Sequence, residues 1–241
     1  MSVADGLNSE IAVTLDTCVG RVFVKGLRSD HPRVWTQQRE AAINPYVAPI
    51  APRLLWTISD EQWNLLGYEY IEGRRATYDP RSGDLPLVAE ALTTLWGVQA
   101  PAGVDLKEIG QRLAAYLDGP DDAELLNGDA LLHTDWHPDN VLIVEGAARV
   151  VDWAWPTRGA SWIDTAYWVI WLVAAGHDPV DAELWAAKVP AWSTATGDAL
   201  KVFAKAQARL WAEIAEDAPD IAWMCDLADA AGRWAAYRQN G

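Results

Sequence analysis

The sequence predicts an α+β chain of two lobes, a small β-rich amino-terminal lobe followed by a larger helical one. Three observations carry that expectation. The first part of the chain holds short β-prone runs around one helical stretch, and from Leu85 onward the apolar spacing becomes helical. Between residues 73 and 85 Gly, Pro, Arg and Asp gather, which marks the meeting of the lobes. The division expected is residues 1–73 for the first lobe with its hinge and 74–241 for the second. A cleft between lobes is a common ligand site.

Residues 11–16 and 21–26 are β-prone runs on either side of Gly20, which predicts a hairpin. Residues 35–47 have helical character, with Pro45, Pro49 and Pro52 marking the end and an irregular passage beyond. The aromatic-rich run 64–71 reads as a strand closed by Glu72 and Gly73. Residues 85–97 and 106–117 carry helical spacing, and an acidic loop over 118–129 follows. Apolar runs at 141–144 and 148–151, joined by Glu145, Gly146 and Ala147, predict a tight hairpin. Beyond Ser161, Ala, Leu and Trp recur with few strand signals, so the remainder is expected to be helical.

Composition narrows the function classes. With 241 residues, 51% of them hydrophobic, and 15 tryptophans, the chain can bury a substantial core. A formal net charge of −15 repels nucleic acid and anionic membrane and attracts cations, though such acidity also serves to keep a tryptophan-rich protein soluble. Cys18 and Cys225 form no disulfide framework or zinc-ribbon spacing. The first ten residues lack a basic stretch followed by an apolar run, and the apolar stretch 165–176 is about half the length that crosses a bilayer. The expectation is a cytoplasmic protein with no nucleic acid or membrane partner.

The sharpest motif is His133-Thr-Asp135-Trp-His-Pro-Asp-Asn140, followed by the hairpin and then Asp152. Phosphoryl transfer needs a carboxylate beside the attacking hydroxyl and ligands that set magnesium against the phosphates. Asp135 and Asn140, five positions apart, fit one compact loop, and the hairpin returns Asp152 to the same pocket. Magnesium favours hard oxygen donors, which Asn140 and Asp152 supply. This order, H-x-D-x-x-x-x-N and a later Asp at a strand end, is the catalytic-loop pattern of kinases. The same segment permits a zinc or di-metal hydrolase built on His133, His137, Asp135 and Asp152. A buried His133 bracing the loop, with His137 shaping it, needs no metal at either.

Upstream, Val22-Phe-Val-Lys25 is a strand ending in a lysine that could reach nucleotide phosphates, and Glu40 in the following helix could hold that lysine. A strand-end lysine and a helix glutamate are each commonly surface charges, so order and spacing carry the assignment. Gly6-Leu-Asn8-Ser9 offers a turn over the phosphates, with backbone N–H groups and the Ser9 hydroxyl as donors, or is a plain turn.

These residues resemble the aminoglycoside phosphotransferase and choline kinase-like enzymes, which share a protein-kinase-like fold. The resemblance runs from about Gly6 to the C-terminal helices through VFVKG with Lys25, Glu40, LLGYEYIEGR at residues 65–74, LLHTDWHPDNVLI, VVDW with Asp152 and GASWIDTAYW at 159–168. It implies a hinge at Glu69–Ile71 whose backbone hydrogen-bonds a purine, and an acceptor lying against the C-terminal helices and acidic loops. It sets Asp164 against an acidic residue that braces the catalytic loop, while an N-cap is the plain alternative. Only five residues precede Gly6 where the family has a strand, which implies a nucleotide lobe without its first strand, through a truncated start or a reduced lobe. Trp153 after the metal Asp removes the later glycine of protein kinases, which suggests a fixed loop without a phosphorylation switch.

The function expected is therefore transfer of a γ-phosphoryl group from ATP or GTP, with Mg2+, to a hydroxyl of a small molecule. The acidic run with Asp118, Asp121, Asp122, Glu124 and Asp129, with the net charge of −15, favours a cationic natural product such as an aminoglycoside; a solvated loop explains the run equally. Trp136, Trp153, Trp155 and Trp162 are core or a stacking surface for an aromatic acceptor. A macrolide or amino alcohol acceptor, or a nucleotide-binding module without catalysis, are the alternatives.

Overall fold

The computed structural model describes residues 9–18 and 20–240. Strands β1 (Ile11–Thr17) and β2 (Gly20–Arg28) form the expected hairpin, paired from Ile11 with Gly26 to Thr17 with Gly20. Gly20 sits at φ 120°, a conformation an L side chain rarely adopts. Helix α1 (Val34–Val47), β3 (Leu54–Ser59) and β4 (Trp63–Glu69) complete an antiparallel sheet in the order β1-β2-β4-β3. Pro45, expected at the end of α1, lies inside it.

Strand β3 occupies a passage the sequence presents as irregular. As an edge strand it leaves Leu55 and Ile58 exposed, so it lacks the alternation that marks a half-buried strand. It is held from the helix: Asn44 donates its side-chain N–H to the Pro52 carbonyl and accepts the Leu54 amide, both at 2.8 Å. Helix α1 is not amphipathic in the usual sense. It buries Thr36, Gln37, Glu40 and Asn44 beside Ile43 and Val47, and buried polar groups of this kind require partners.

The larger part follows: β5 (Arg74–Arg75), α2 (Leu85–Trp96), β6 (Lys107–Glu108), α3 (Ile109–Arg112), α4 (Pro120–Glu124), β7 (Ala130–Leu132), β8 (Val141–Val144), β9 (Ala147–Val150) and β10 (Thr157–Gly159), then α5 (Ile163–Ala174), α6 (Pro179–Ala186), α7 (Gly197–Asp217) and α8 (Ala222–Asn240). Two three-stranded sheets, β6-β10-β7 and β5-β8-β9, are the only sheets here among the described residues. The expected β8–β9 hairpin turns at Glu145 and Gly146, with φ 49° and 81°, as a two-residue turn with both central residues at positive φ requires.

The helix expected over 106–117 is instead β6 and the four-residue α3. Residues 107 and 108 pair with β10, and α3 packs so closely on α4 that a Cβ at Gly110 would meet that of Ala123 at 2.9 Å. The acidic segment after it is correspondingly part helix, in α4.

Helices α5, α7 and α8 enclose the core of this part. Trp168, Phe203 and Trp234 are buried, with Phe203 meeting Trp162, Tyr167 and Trp234 edge-on. Among the described residues no helix is long and apolar enough to cross a membrane. The result is a small antiparallel sheet lobe and a larger helical portion. They are tied where Val150 donates its amide to the Ile50 carbonyl at 2.6 Å and Arg149 reaches both the Ala51 carbonyl, at 2.8 Å, and Glu69, at 3.3 Å.

Candidate active site

The loop after β7 is shaped from beneath. Asp164, in the first turn of α5, accepts the amides of His133 and Thr134 at 2.8 Å each. Those donors come from another element and Trp162 is the N-cap of α5, so the brace describes Asp164 and the cap does not. Burial raises the Asp164 carboxyl above its ordinary range, against the lowering influence of His133 and the two amides.

His133 is buried with both ring nitrogens in use. Nδ1 accepts the Asp135 amide at 3.2 Å, which leaves Nε2 as the donor to the Val151 carbonyl at 3.0 Å. Its ring packs edge-on against Trp153, 4.6 Å between centroids, and the Trp153 indole donates to the Val150 carbonyl. Trp153 is therefore a buried anchor for the segment carrying Asp152. His137 Nδ1 accepts the Asp139 amide at 3.0 Å and so caps the single 3-10 turn 138–140. These bonds give both histidines structural work. Among the described residues no three His, Cys, Asp or Glu side chains gather in a group that could hold a metal ion.

Asn140 directs its side-chain nitrogen at the Asp135 carbonyl, 3.4 Å away, and its backbone carbonyl accepts the Val151 amide at 2.9 Å. The loop is thus stitched to the residue before Asp152. Asp152 stands at φ 60° and Thr134 at φ 68°, two strained non-glycine positions. Arg112 ties the loop to β10, donating to the Thr134 and Thr157 hydroxyls at 2.7 and 2.5 Å and to the Trp155 carbonyl at 3.1 Å.

Lys25 enters from β2. Its Nζ lies 2.6 Å from Glu40 Oε2 and 2.9 Å from Asp152 Oδ1, with only 8% of the Lys25 and 5% of the Glu40 side chain exposed. Burial alone would lower the Lys25 ammonium's pKa, but the Asp152 and Glu40 carboxylates outweigh it and hold it above its ordinary value. Burial pushes Glu40 up, with Lys25 opposing. Tyr68 of β4 is raised first by burial and then by the Glu40 charge beside it.

The structure thus joins Lys25, Glu40 and Asp152 directly, and Asp135 with Asn140 through their shared loop. Other expected residues lie apart from that ion-pair triad. The Glu69 side chain bridges Arg53 and Arg149 at 3.0 and 3.3 Å, and its amide donates to the Arg53 carbonyl. Ile71 is half-buried in the segment between β4 and β5, and Ser9 lies two residues before β1. Gly6, Leu7 and Asn8 fall outside the described residues. Asp118, the first carboxylate of the acidic run, is taken by Lys205 at 2.6 Å and Arg209 at 2.8 Å.

Sequence reasoning missed Arg112, which lay in a segment misread as one helix, and Tyr68, whose only signal was its place two residues past Leu66 on an inward face of β4.

No protein-family model and no curated protein sequence matches the chain. Solved structures do. A putative aminoglycoside phosphotransferase from Ralstonia eutropha superposes with a TM-score of 0.69 at 14% identity, covering 100% of this chain and 92% of the other. The choline kinase LicA from Streptococcus pneumoniae gives 0.64 at 11% identity, covering 94% and 89%. An amicoumacin kinase in complex with AMP-PNP, Ca2+ and its antibiotic gives 0.59 at 14% identity, covering 95% and 87%. The chain has the two-lobed fold of aminoglycoside phosphotransferases and choline kinases.

Proposed function

We propose, from a fold shared with those phosphotransferases, that this chain is a small-molecule kinase moving the γ-phosphoryl group of ATP or GTP to a hydroxyl. The observation that carries the reading is the buried Lys25 ammonium held between Glu40 and Asp152, with the residue before Asp152 hydrogen-bonded to Asn140 of the Asp135–Asn140 loop. A buried cation with two carboxylates, together with a half-exposed aspartate on the neighbouring loop, suits a polyanionic donor and a hydroxyl acceptor.

Asp135 takes the role of base. It orients the acceptor hydroxyl and receives its proton as the new oxygen–phosphorus bond forms and the bond to the β-phosphate oxygen breaks, releasing the nucleoside diphosphate. Lys25 holds donor phosphates, and Glu40 keeps it directed into the pocket. The side-chain oxygens of Asn140 and Asp152 are the hard donors that magnesium prefers; when bound, that ion offsets charge on the phosphate oxygens. At the hinge the Glu69 amide already donates to Arg53, so a purine would meet the Glu69 carbonyl and the backbone of Tyr70 and Ile71. The Ser9 hydroxyl is assigned to the phosphates with the residues before it.

The net charge of −15 supports a cationic natural product, such as an aminoglycoside, as acceptor. The pairing of Asp118 with Lys205 and Arg209 reduces the share of that attraction the acidic run supplies. The intact Asp135–Asn140 loop favours catalysis over a nucleotide-binding module. A nucleotide-release screen over aminoglycosides, macrolides and amino alcohols with Mg-ATP and Mg-GTP, followed by mass spectrometry, tests the reading. A phosphorylated acceptor is the expected product. Nucleotide binding with no phosphorylated product from any hydroxyl compound would make the chain a binding module.

A further inference from the structure

Asp135 is the group whose aim matters most to the proposed chemistry, and its own side chain is loosely held. Among the described residues its carboxylate accepts one hydrogen bond, a long one from the His137 amide at 3.4 Å. Its direction is therefore set by the backbone that carries it. The Asp135 amide donates to His133 Nδ1 at 3.2 Å, and the residue before it, Thr134, stands at φ 68°. Glycine takes such a φ freely and asparagine at little cost, whereas a β-branched residue there is strained. What the threonine side chain contacts must offset that strain.

The Thr134 hydroxyl lies 2.7 Å from Arg112 Nη1, and the Thr157 hydroxyl lies 2.5 Å from the same nitrogen. Each hydroxyl in turn donates to the Trp155 carbonyl, at 3.3 and 3.0 Å, and Nη1 is itself 3.1 Å from that oxygen. A guanidinium Nη carries two N–H groups and a carbonyl oxygen two lone pairs, so the bonds close on themselves. The guanidinium gives a hydrogen to each hydroxyl, and each hydroxyl gives its own to the carbonyl. Thr134 and Thr157 are both buried, where the loss of such a partner is costly. Arg112 ends α3, just after β6, and Lys107 of β6 pairs with Thr157 of β10. The strand pairing that splits the 106–117 segment therefore also delivers the guanidinium to these hydroxyls.

We propose that Arg112 is a positioning residue for Asp135: by holding the Thr134 hydroxyl it keeps the strained peptide turned so that the carboxylate meets the acceptor hydroxyl. The inference rests on the kinase reading, which gives Asp135 its task. Arg112 acts through Thr134 and has no part in the bond changes themselves. A tie that served stability alone would gain nothing from strain at the residue next to the base, because glycine at 134 would relieve it. A planar guanidinium that serves two hydroxyls from one nitrogen at fixed angles is suited to aiming a backbone, and small errors of aim are expensive in catalysis.

Two measurements on the whole protein test this: phosphate release from Mg-ATP with water as the acceptor, and amide hydrogen exchange across residues 133–140. Arg112→Met is expected to lower kcat by about 10- to 10²-fold, with the KM for Mg-ATP within about twofold of native. It should also speed exchange of the Asp135 amide about tenfold while amides of α5 and α7 exchange as before. Thr134→Val, which keeps the shape and loses the hydroxyl, should behave alike, and Thr134→Ser, which returns the hydroxyl, should restore most of the rate. A melting curve on each variant verifies that it is folded at the assay temperature. Native exchange at Asp135 in Arg112→Met, or a rate loss in Thr134→Val that Thr134→Ser shares, overturns the proposal. A rise in KM with kcat unchanged also overturns it, because Arg112 would then serve nucleotide binding. Absent Mg-ATP binding and phosphate release together remove the kinase reading, and there the exchange data alone decide whether Arg112 holds the Asp135 peptide.

Discussion

Asp164 Oδ1 accepts the Thr134 amide at 2.8 Å across thirty residues of sequence, and Thr134 is one of three non-glycine residues at positive φ among those described. The carboxylate accepts the neighbouring His133 amide as well, so one side chain pins two consecutive peptides of the loop that carries Asp135. Replacing it with an amide leaves one N–H facing another N–H donor. Asp164→Asn is expected to lower stability by about 2 kcal/mol in chemical denaturation. On a proven acceptor it should reduce kcat more than it raises KM, because the loop carrying Asp135 loses its fixed turn.

Asp135 itself is proposed to act on the hydroxyl alone. Asp135→Asn should reduce kcat by about 10²- to 10⁴-fold while Mg-ATP affinity changes little. Full turnover in that variant would remove Asp135 from the chemistry.

The Lys25–Glu40 pair makes a sharper statement about energetics. Lys25→Met leaves the Glu40 carboxyl buried with its cation gone, at a cost of about 3–5 kcal/mol. Adding Glu40→Gln to that variant should recover part of the loss. A double variant as unstable as the sum of the singles would show that the two side chains do not act as a pair.

Asp84 sets a pH dependence outside the active site. Its carboxyl is held below the ordinary carboxylate range by the Arg74 guanidinium, which reaches both oxygens, and by the Thr77 amide. A depressed folded-state pKa contributes stability that is present above the ordinary value of 3.8 and lost as pH falls through the folded value. The stability gap between the native protein and Asp84→Asn should therefore be about 2 kcal/mol near neutral pH and close below about pH 4. A gap unchanged in acid would assign the effect to packing.

How far the sequence could be read depended on whether a feature was local. The loop from His133 to Asn140 and the hairpin after it were legible because spacing, turn residues and residue chemistry lie within about twenty positions. Lys25 and Glu40 were legible by order, and their pairing is a tertiary fact. Strand β3 escaped because an edge strand with both faces partly wet carries no periodic signal. The split of 106–117 into β6 and α3 escaped because parallel pairing with β10, some fifty residues away, overrides local helical spacing. The bonds from Arg112 to Thr134 and Thr157 could not be seen until that segment was placed.

The contact between Lys25 and Asp152 has a consequence for how a nucleotide enters. With its ammonium already 2.9 Å from Asp152, Lys25 holds a carboxylate where, on the proposed reading, a phosphate would sit. On the proposed reading the aspartate would compete with the phosphates for Lys25, and Asp152 is the residue that would hold a divalent ion. Metal and nucleotide would thus bind as partners in an exchange, the ion taking the carboxylate that the lysine gives up for a phosphate.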